Sequence, residues 1–151
     1  MSEIRENITG GKLIDLQLRW SDEDRLGHIN NARIITLMEE ARVRWSPRWE
    51  DKGLFPQGFV VAALNVDYLA PVYYGKDLVI RVGVSRIGTK SVTVRHIAYQ
   101  DGKPVFDGSN VMVPLDTDYK TSRALTTDEK QWLGGQLLVT QESAHQANKM
   151  Q

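Results

Sequence analysis

Several features that would narrow the function of this chain are missing from its 151 residues. It contains no cysteine, which excludes disulfide bonds, thiolate metal sites and cysteine nucleophiles. Lysine and arginine balance aspartate and glutamate at 19 each, so charge gives no reason to expect a nucleic acid or a membrane as partner. No apolar run approaches a membrane span, and residues 1–12 are too polar for a signal peptide. We therefore expect a cytoplasmic protein with one ordinary domain.

The domain is expected to span residues 12–135, with a flexible N-terminus at 1–11 and a disordered tail at 136–151. The best-defined element is a helix from about Asn31 to Arg44. Its apolar residues recur at i, i+4, i+7 and i+11 and form one stripe: Ile34, Met38, Ala41 and Trp45. Ile35 and Leu37 widen this stripe, which predicts burial on more than one side. Asn30 or Asn31 is a suitable N-cap.

Alternating or β-branched segments predict strands at 12–21, 59–69, 78–87, 91–100 and 105–115. Short glycine-containing turns separate the second to fifth strands, which favours an antiparallel meander. Thr126 and Glu129 form a capping box for a short helix through Leu133. The element order predicts an α+β fold in which one antiparallel sheet wraps around a long central helix.

The loop before that helix contains the strongest candidates for catalytic residues. Asp24, Gly27 and Asn30 place an acidic residue, a glycine turn and a polar cap directly before the helix. A carboxylate there lies beside backbone N–H groups that the first helical turn leaves unpaired. A carboxylate serves as base or nucleophile, and free N–H groups stabilise a developing oxyanion. This combination favours acyl transfer without a serine or cysteine nucleophile.

The motif Asp24-x-x-Gly-His-Ile-Asn-Asn31, followed by Glu39-Glu-Ala-Arg42, resembles the hotdog-fold acyl-CoA thioesterases. Within them it is similar to the 4-hydroxybenzoyl-CoA thioesterase branch, which includes long-chain acyl-CoA thioesterases of fatty-acid metabolism. Further matches are Tyr68-Leu-Ala-Pro-Val72, Arg86-Ile-Gly-x-x-Ser91 and Val111-x-Val-Pro-Leu-Asp116, and the resemblance covers about 13–133. The original 4-hydroxybenzoyl enzyme has an aromatic pair where this chain has Asn30 and Asn31, which leaves the acyl group open.

The resemblance implies a hydrolase that converts an acyl-CoA thioester to a carboxylic acid and coenzyme A, without a metal or other cofactor. It makes Asp24 the catalytic carboxylate and places the thioester carbonyl at the helix N-terminus, where the amide of about Asn31 polarises it. It also implies a homodimer or homotetramer in which two sheets join edge to edge. The active sites then lie at the subunit interface, along which the coenzyme runs.

The residues leave several roles open. Asp24 either attacks the thioester carbon to form a mixed anhydride or deprotonates an attacking water; its plainer role is that of a turn residue. His28 and Asn30 are further catalytic candidates, beside the plainer roles of shaping the loop and capping the helix. Asp22 is expected to be structural. Asp22, Asp24 and His28 are adequate metal ligands, but no other histidine lies near them in the sequence and the chain has no cysteine, so we expect no metal.

Two glutamates on the helix are minor candidates for a base, because another hotdog branch uses a helix glutamate. Glu39 and Glu40 lie about 12–15 Å from the helix start at ~1.5 Å per residue, which argues against partnership with the loop carboxylate of the same subunit. We expect them instead to form ion pairs with Arg42 or Arg44, or a salt bridge across a subunit interface.

A second group of candidates surrounds the turn between the third and fourth predicted strands. The candidates for binding the phosphates of coenzyme A are Arg86, Gly88, Lys90 and Ser91, with Thr89 and Arg95 beside them. Simple solvation of charged turn residues explains the same pattern.

Three rival functions remain open at this point. One is a hotdog protein that binds acyl-CoA without hydrolysing it, and another is a hotdog hydratase that acts on enoyl thioesters. The hydratase is disfavoured because Asp24 and His28 both precede the helix, whereas that chemistry pairs an acidic residue and a histidine around it. A purely structural dimer would leave the loop motif unexplained.

Overall fold

The computed structural model describes residues 5, 7–47 and 53–140. In chain order the elements are β1 (Ile8–Thr9), β2 (Lys12–Leu16), a 3₁₀ turn (Trp20–Asp22), α1 (Asn31–Trp45), β3 (Phe59–Tyr68), β4 (Leu78–Ile87), β5 (Val92–Gln100), β6 (Lys103–Pro114), α2 (Thr127–Gly134) and β7 (Val139–Thr140). Each predicted strand and helix therefore has a counterpart in the structure.

Helix α1 buries the predicted apolar stripe. Its buried residues are Ile34, Met38, Ala41 and Trp45. The Asn30 side chain caps the helix by accepting a hydrogen bond from the Ala32 amide at 2.8 Å. The expectation that Ile35 extends the buried surface is wrong for the single chain, because the sheet covers one side of the helix and Ile35 remains 39% exposed.

The main sheet has the strand order β2-β4-β5-β6-β3, and every neighbouring pair is antiparallel. One face of this sheet packs against α1. Gly108 in β6 permits the close approach, because a β-carbon there would collide with the thioether of Met38. The predicted α+β hotdog architecture, an antiparallel sheet around one long helix, is confirmed.

The predicted meander holds for β4, β5 and β6 but is wrong for β3. Strand β3 pairs with β6 at the sheet edge and is separated from β4 by two strands. The connection at residues 69–77 crosses the ends of β6 and β5, where its backbone binds the Val105 carbonyl and the Gln100 side chain. These bonds satisfy backbone groups that the crossing would otherwise leave unpaired. Strand β3 is consequently an edge strand.

The first strand is shorter than predicted. Strand β2 ends at Leu16, and the chain then turns through the 3₁₀ segment. The Arg19 amide and guanidinium both bind the buried Asp22 carboxylate, at 3.1 Å and 2.8 Å, which turns the backbone away from the strand direction. As a result Trp20, expected on the apolar side of the strand, is 74% exposed.

The structure also pairs residues near the two chain ends. Strand β1 is antiparallel to β7, and Ile8 is buried. Residues 136–138 run beside β4, with hydrogen bonds from the Val84 amide to the Gln136 carbonyl and from the Leu138 amide to the Val84 carbonyl. These residues therefore have bonded partners where a flexible N-terminus and a disordered tail are expected. The domain limits stay a prediction, and 1–4, 6 and 141–151 lie outside the described residues.

Candidate active site

The loop that leads into α1 is a small hairpin. Its facing backbone positions are Asp22 with Asn30, Glu23 with Ile29, and Asp24 with His28. Gly27 at the tip has a φ of +78°, a conformation that glycine adopts without a steric penalty. The Ile29 amide donates to the Val72 carbonyl at 2.7 Å, which anchors the loop to the connection between β3 and β4.

Asp24 holds this loop together while one of its carboxylate oxygens stays open. Oδ1 accepts hydrogen bonds from the Leu26 amide at 2.8 Å and the His28 amide at 3.3 Å. Within the described residues Oδ2 has no hydrogen-bond partner, and the residue is partly exposed. Asp24 therefore combines the turn role with a fixed, accessible oxygen that is suited to a base or a nucleophile.

The N-terminus of α1 presents one amide that has no acceptor within residues 5, 7–47 and 53–140. Asn30 engages the other early amides: its side chain accepts from Ala32, and its carbonyl accepts from Arg33 and Ile34. The Asn31 amide has no acceptor among the described residues, as expected for the first position of a helix. The Tyr68 hydroxyl donates to the Asn31 carbonyl at 3.1 Å and ties the helix start to the end of β3. A free N–H at this end is suited to an oxyanion.

His28 and Asp22 support the loop from two sides. The His28 ring packs edge-on against the Tyr73 ring, with centroids 5.3 Å apart. The hydrogen bond from Arg19 lowers the pKa of the buried Asp22 carboxyl, and the Arg33 guanidinium lies 3.9 Å away. Arg19 contacts both oxygens of Asp22, which agrees with the structural role expected for Asp22.

A cavity of about 690 Å³ lies beside the second half of α1. The helix contributes Glu39, Arg42, Val43 and Ser46, the sheet contributes Phe59, Val61 and Met112, and the intervening loop contributes Leu54, Phe55, Pro56 and Gly58. Its size lies within the range of small-molecule pockets. Most of its wall is apolar, and its two charged groups, Glu39 and Arg42, both come from the helix.

The two charged groups differ in exposure. The Arg42 side chain is only 11% exposed, whereas Glu39 is 69% exposed and lies 3.8 Å from the guanidinium. Burial lowers the pKa of Arg42, and the charge of Glu39 opposes that effect. Glu40 pairs with Arg44 at 2.9 Å instead. Both expected pairings of the helix glutamates are therefore confirmed, and Glu39 is the one that reaches the cavity.

A buried carboxylate fixes one wall of the cavity. Phe55 has a φ of +52°, and its amide donates to Glu129 of α2 at 2.9 Å. Arg123 donates to both oxygens of Glu129, at 2.7 Å and 2.8 Å, and the Thr126 amide adds a further bond. Burial by itself would raise the pKa of Glu129, but these donors outweigh it and lower the pKa to about 2. The Phe55 ring is thereby held against Phe59, with centroids 4.2 Å apart.

The candidates for phosphate binding lie together in the turn between β4 and β5. Gly88 donates its amide to the Ser91 carbonyl at 2.8 Å. Arg86 and Lys90 are exposed, and neither forms an ion pair with another described residue. Arg95 points elsewhere and pairs with Asp107 at 2.7 Å, which argues against a phosphate contact.

The loop candidates and the turn candidates lie at opposite ends of the sheet. Strand β4 begins near the loop and ends at the turn, and its ten residues span about 30 Å at ~3.3 Å each. The cavity is at the turn end, since Arg42 follows Asn31 by about 16 Å along α1 at ~1.5 Å per residue. Asp24 therefore lies before the start of α1, whereas the cavity of the same chain lies beside the second half of that helix.

One further titratable group lies beneath α1. His96 is fully buried in β5, and its Nδ1 lies 3.1 Å from the Gly108 carbonyl oxygen. Burial, with the nearby charge of Arg42, lowers the pKa of His96 to about 4. The ring is therefore neutral at pH 7.

The sequence singled out Glu39 as a minor candidate for a base and Arg42 as a pairing partner, but it did not identify the cavity that both residues line. Arg42 carries a signal, because it follows Met38 by four residues and precedes Trp45 by three, which places it on the buried side of a helix. Phe55 lies in an irregular loop and has no periodic signal.

Two kinds of feature are absent from the described part of the chain. Among residues 5, 7–47 and 53–140, no three histidine or acidic side chains are grouped as metal ligands. No α-helix in those ranges has the length and apolar character needed to cross a bilayer.

Comparison with known proteins places these features in a family. The sequence profile of the thioesterase superfamily matches residues 26–106. The uncharacterized protein YsmA of Bacillus subtilis is 30% identical over 120 residues, which are 78% of this chain and 82% of that protein. A thioesterase of Thermus thermophilus, solved with coenzyme A and zinc, is 30% identical with a TM-score of 0.71, covering 82% of this chain and 92% of that one. A predicted thioesterase of Bacillus stearothermophilus is 26% identical with a TM-score of 0.75, covering 83% and 95%.

Proposed function

Because this chain belongs to the thioesterase superfamily, we propose that it hydrolyses an acyl-CoA thioester to a free carboxylic acid and coenzyme A. The observation that carries this proposal is the Asp24 carboxylate, which has one open oxygen and lies on the loop that ends at the free Asn31 amide. The relative solved with coenzyme A supports that carrier for the acyl group.

In the proposed mechanism the Asn31 N–H polarises the thioester carbonyl and then stabilises the oxyanion. The open oxygen of Asp24 either takes a proton from the attacking water or adds to the carbonyl carbon, and the thiolate of coenzyme A leaves. In the second case a water then hydrolyses the mixed anhydride formed on Asp24, which releases the acid and restores the carboxylate. His28 positions the loop through Tyr73, and Asn30 holds the helix start so that the Asn31 amide stays free.

A homodimer would complete this site. The outer edge of β3 is unpaired within the described sheet, and its exposed large apolar side chains are Val60, Val61, Leu64 and Tyr68. A long apolar edge of this kind is normally covered by another strand. Antiparallel pairing of two β3 strands would set Tyr68 and the helix start of one subunit beside Phe59 and the cavity of the other. The Asp24 of each subunit would then serve the cavity of its partner.

The same pairing gives the β4–β5 turn a role. Arg86 and Lys90 lie at the cavity end of their own chain, so the dimer brings them to the end where the partner's loop would act. We assign the phosphates of coenzyme A to these two exposed cations, with the Gly88 and Ser91 backbone beside them. A tetramer built from two such dimers is compatible with this assignment.

The experiment that tests the function measures thiol release with Ellman's reagent across short, long and aromatic acyl-CoAs. The cysteine-free chain contributes no background signal. Asp24→Asn should lose at least ~100-fold in turnover with an unchanged circular dichroism spectrum, because the open oxygen can no longer act as base or nucleophile. Glu23→Gln is the matched control in the same loop, and Glu39→Gln tests the other carboxylate. Wild-type turnover in Asp24→Asn would refute the assignment, and tight binding without hydrolysis would favour a non-catalytic acyl-CoA binder.

The Asn31 amide can be tested separately, because the helix start tolerates proline. Proline is accepted at the first helical position, and Asn30, with φ −59° and ψ 138°, already has the conformation that a following proline requires. Asn31→Pro removes the N–H and should reduce turnover by about 100-fold, the typical effect of losing one oxyanion donor. Asn31→Ala keeps the N–H and should retain activity. Equal activities in the two variants would remove this amide from the mechanism.

A further inference from the structure

Arg42 is a largely buried charge that the proposed hydrolysis does not use. Its side chain is 11% exposed and lines the apolar cavity from the helix side. A guanidinium carries five N–H donors, yet its only ion pair within the described residues is the 3.8 Å contact with Glu39, which is too long for a hydrogen bond. Glu39 itself is 69% exposed to solvent. The donors of Arg42 therefore have no hydrogen-bond acceptor among the described residues and depend on the water that reaches them through the cavity.

This arrangement has a consequence for the ligand that fills the cavity. A plain hydrocarbon chain would remove the remaining water from the guanidinium and supply no acceptor in its place, which is unfavourable for a buried charge. A carboxylate would supply two acceptor oxygens in the fork geometry that arginine matches. The apolar walls, including the Phe55 and Phe59 rings, suit the methylene chain between a thioester and such a carboxylate.

We propose that Arg42 binds a carboxylate at the far end of the acyl group, so that the preferred substrates are monothioesters of dicarboxylic acids. This inference rests on the proposed thioesterase function and specifies its substrate class. Arg42 is then a specificity residue that contacts the substrate away from the reacting carbon. His96, the histidine whose pKa responds to the Arg42 charge, stays neutral at pH 7 and adds no competing charge.

The test compares acyl-CoAs that differ only in the terminal group. Succinyl-CoA is paired with butanoyl-CoA, adipoyl-CoA with hexanoyl-CoA, and suberoyl-CoA with octanoyl-CoA. Three chain lengths are used so that one of them places the terminal carboxylate within reach of Arg42. The measured quantity is the ratio of kcat/KM within each pair. The wild-type ratio should favour the carboxylated member at one length at least, and Arg42→Met should lower that ratio by at least about 30-fold, the usual minimum for removing one partner of a buried charge pair.

Two variants control for charge and folding. Arg42→Lys keeps a cation without the fork and should give an intermediate ratio. Arg44→Met removes an arginine from the same helix that pairs with Glu40 outside the cavity, and its ratio should equal that of the wild type. Sedimentation of every variant reports its oligomeric state.

A second measurement separates this inference from the proposed function. Calorimetric titration of Asp24→Asn protein with the same substrate pairs, with and without Arg42→Met, measures the preference without hydrolysis. If no thioester is hydrolysed, the proposed function fails while the titration still decides the role of Arg42. A wild-type preference for the uncharged member at all three lengths overturns the inference. So does an equal loss on both members in Arg42→Met, or a change of oligomeric state with an unchanged ratio.

Discussion

The ion pair between Glu129 and Arg123 should be the most costly polar contact to break away from the catalytic loop. Glu129 is 1% exposed and accepts four hydrogen bonds, two from Arg123 and one each from the Phe55 and Thr126 amides. Glu129→Gln keeps the shape but replaces one acceptor oxygen with an NH₂ group that faces other donors. It also leaves the Arg123 charge, 17% exposed, without a counterion.

The expected cost follows from two independent arguments. Removing one partner of a buried ion pair typically costs about 3–5 kcal/mol. The pKa of Glu129, about 2 against an ordinary 4.5, corresponds to roughly 3 kcal/mol of favourable interaction with the charged form. We therefore expect Glu129→Gln to lower the free energy of unfolding at pH 7 by about 3 kcal/mol, which is about 6–12 °C in Tm for a chain of this size.

The assay is urea unfolding followed by tryptophan fluorescence at fixed protein concentration, repeated from pH 7 to pH 3. Because the pKa of the folded state is lowered, the contribution of Glu129 is complete above pH 4.5 and is lost as the pH falls towards 2. The difference between wild type and Glu129→Gln should therefore shrink by about 2 kcal/mol between pH 7 and pH 3. Asp128→Asn, an exposed change in the same helical turn, is the control and should cost less than about 1 kcal/mol. A variant within 1 kcal/mol of wild type at pH 7, or a difference that is constant with pH, would refute the reasoning.

Two further predictions concern buried polar side chains of β5. His96 has a pKa of about 4 in the folded state and 6.5 in the unfolded state, so protonation should lower the free energy of unfolding by about 3 kcal/mol as the pH falls from 6.5 to 4. In urea unfolding, His96→Leu should therefore show a flatter pH dependence than the wild type over this window. Parallel curves for the two proteins would contradict this. Gln100→Ala should cost about 2–3 kcal/mol, because it leaves backbone groups of Tyr73 and Lys76 without their partners. It should also lower turnover, since Tyr73 supports His28, whereas the exposed Gln131→Ala should change neither stability nor turnover.

Local sequence patterns predicted the elements well because local physics decides them. The stripe of α1 follows from helical periodicity, and Asn30 caps the helix through its own neighbours. The bounds of β4 coincide with its run of alternating residues. The hairpin that carries Asp24 is likewise local, so its residues could be recognised together.

The features that escaped prediction depend on distant parts of the chain. The position of β3 depends on a crossing that the Gln100 side chain supports from another strand. The cavity depends on Phe55, whose conformation is held by Glu129 about seventy residues later. The separation of Asp24 from the cavity is evident only when both ends of α1 are placed against the sheet. No periodicity encodes such contacts.

The strand order also bears on the sequence of events during folding. Strands β4, β5 and β6 are joined by short turns, so they can pair with little loss of chain entropy. By contrast β2 finds β4 across more than sixty residues, and β3 finds β6 across 38 to 55 residues. Chains with distant contacts form them slowly. The three-stranded centre should therefore assemble first and the two edges last. The edge strand β3, which is proposed to join two subunits, would then pair with β6 only after the three central strands have formed. Association of the subunits would be delayed until each chain is nearly folded.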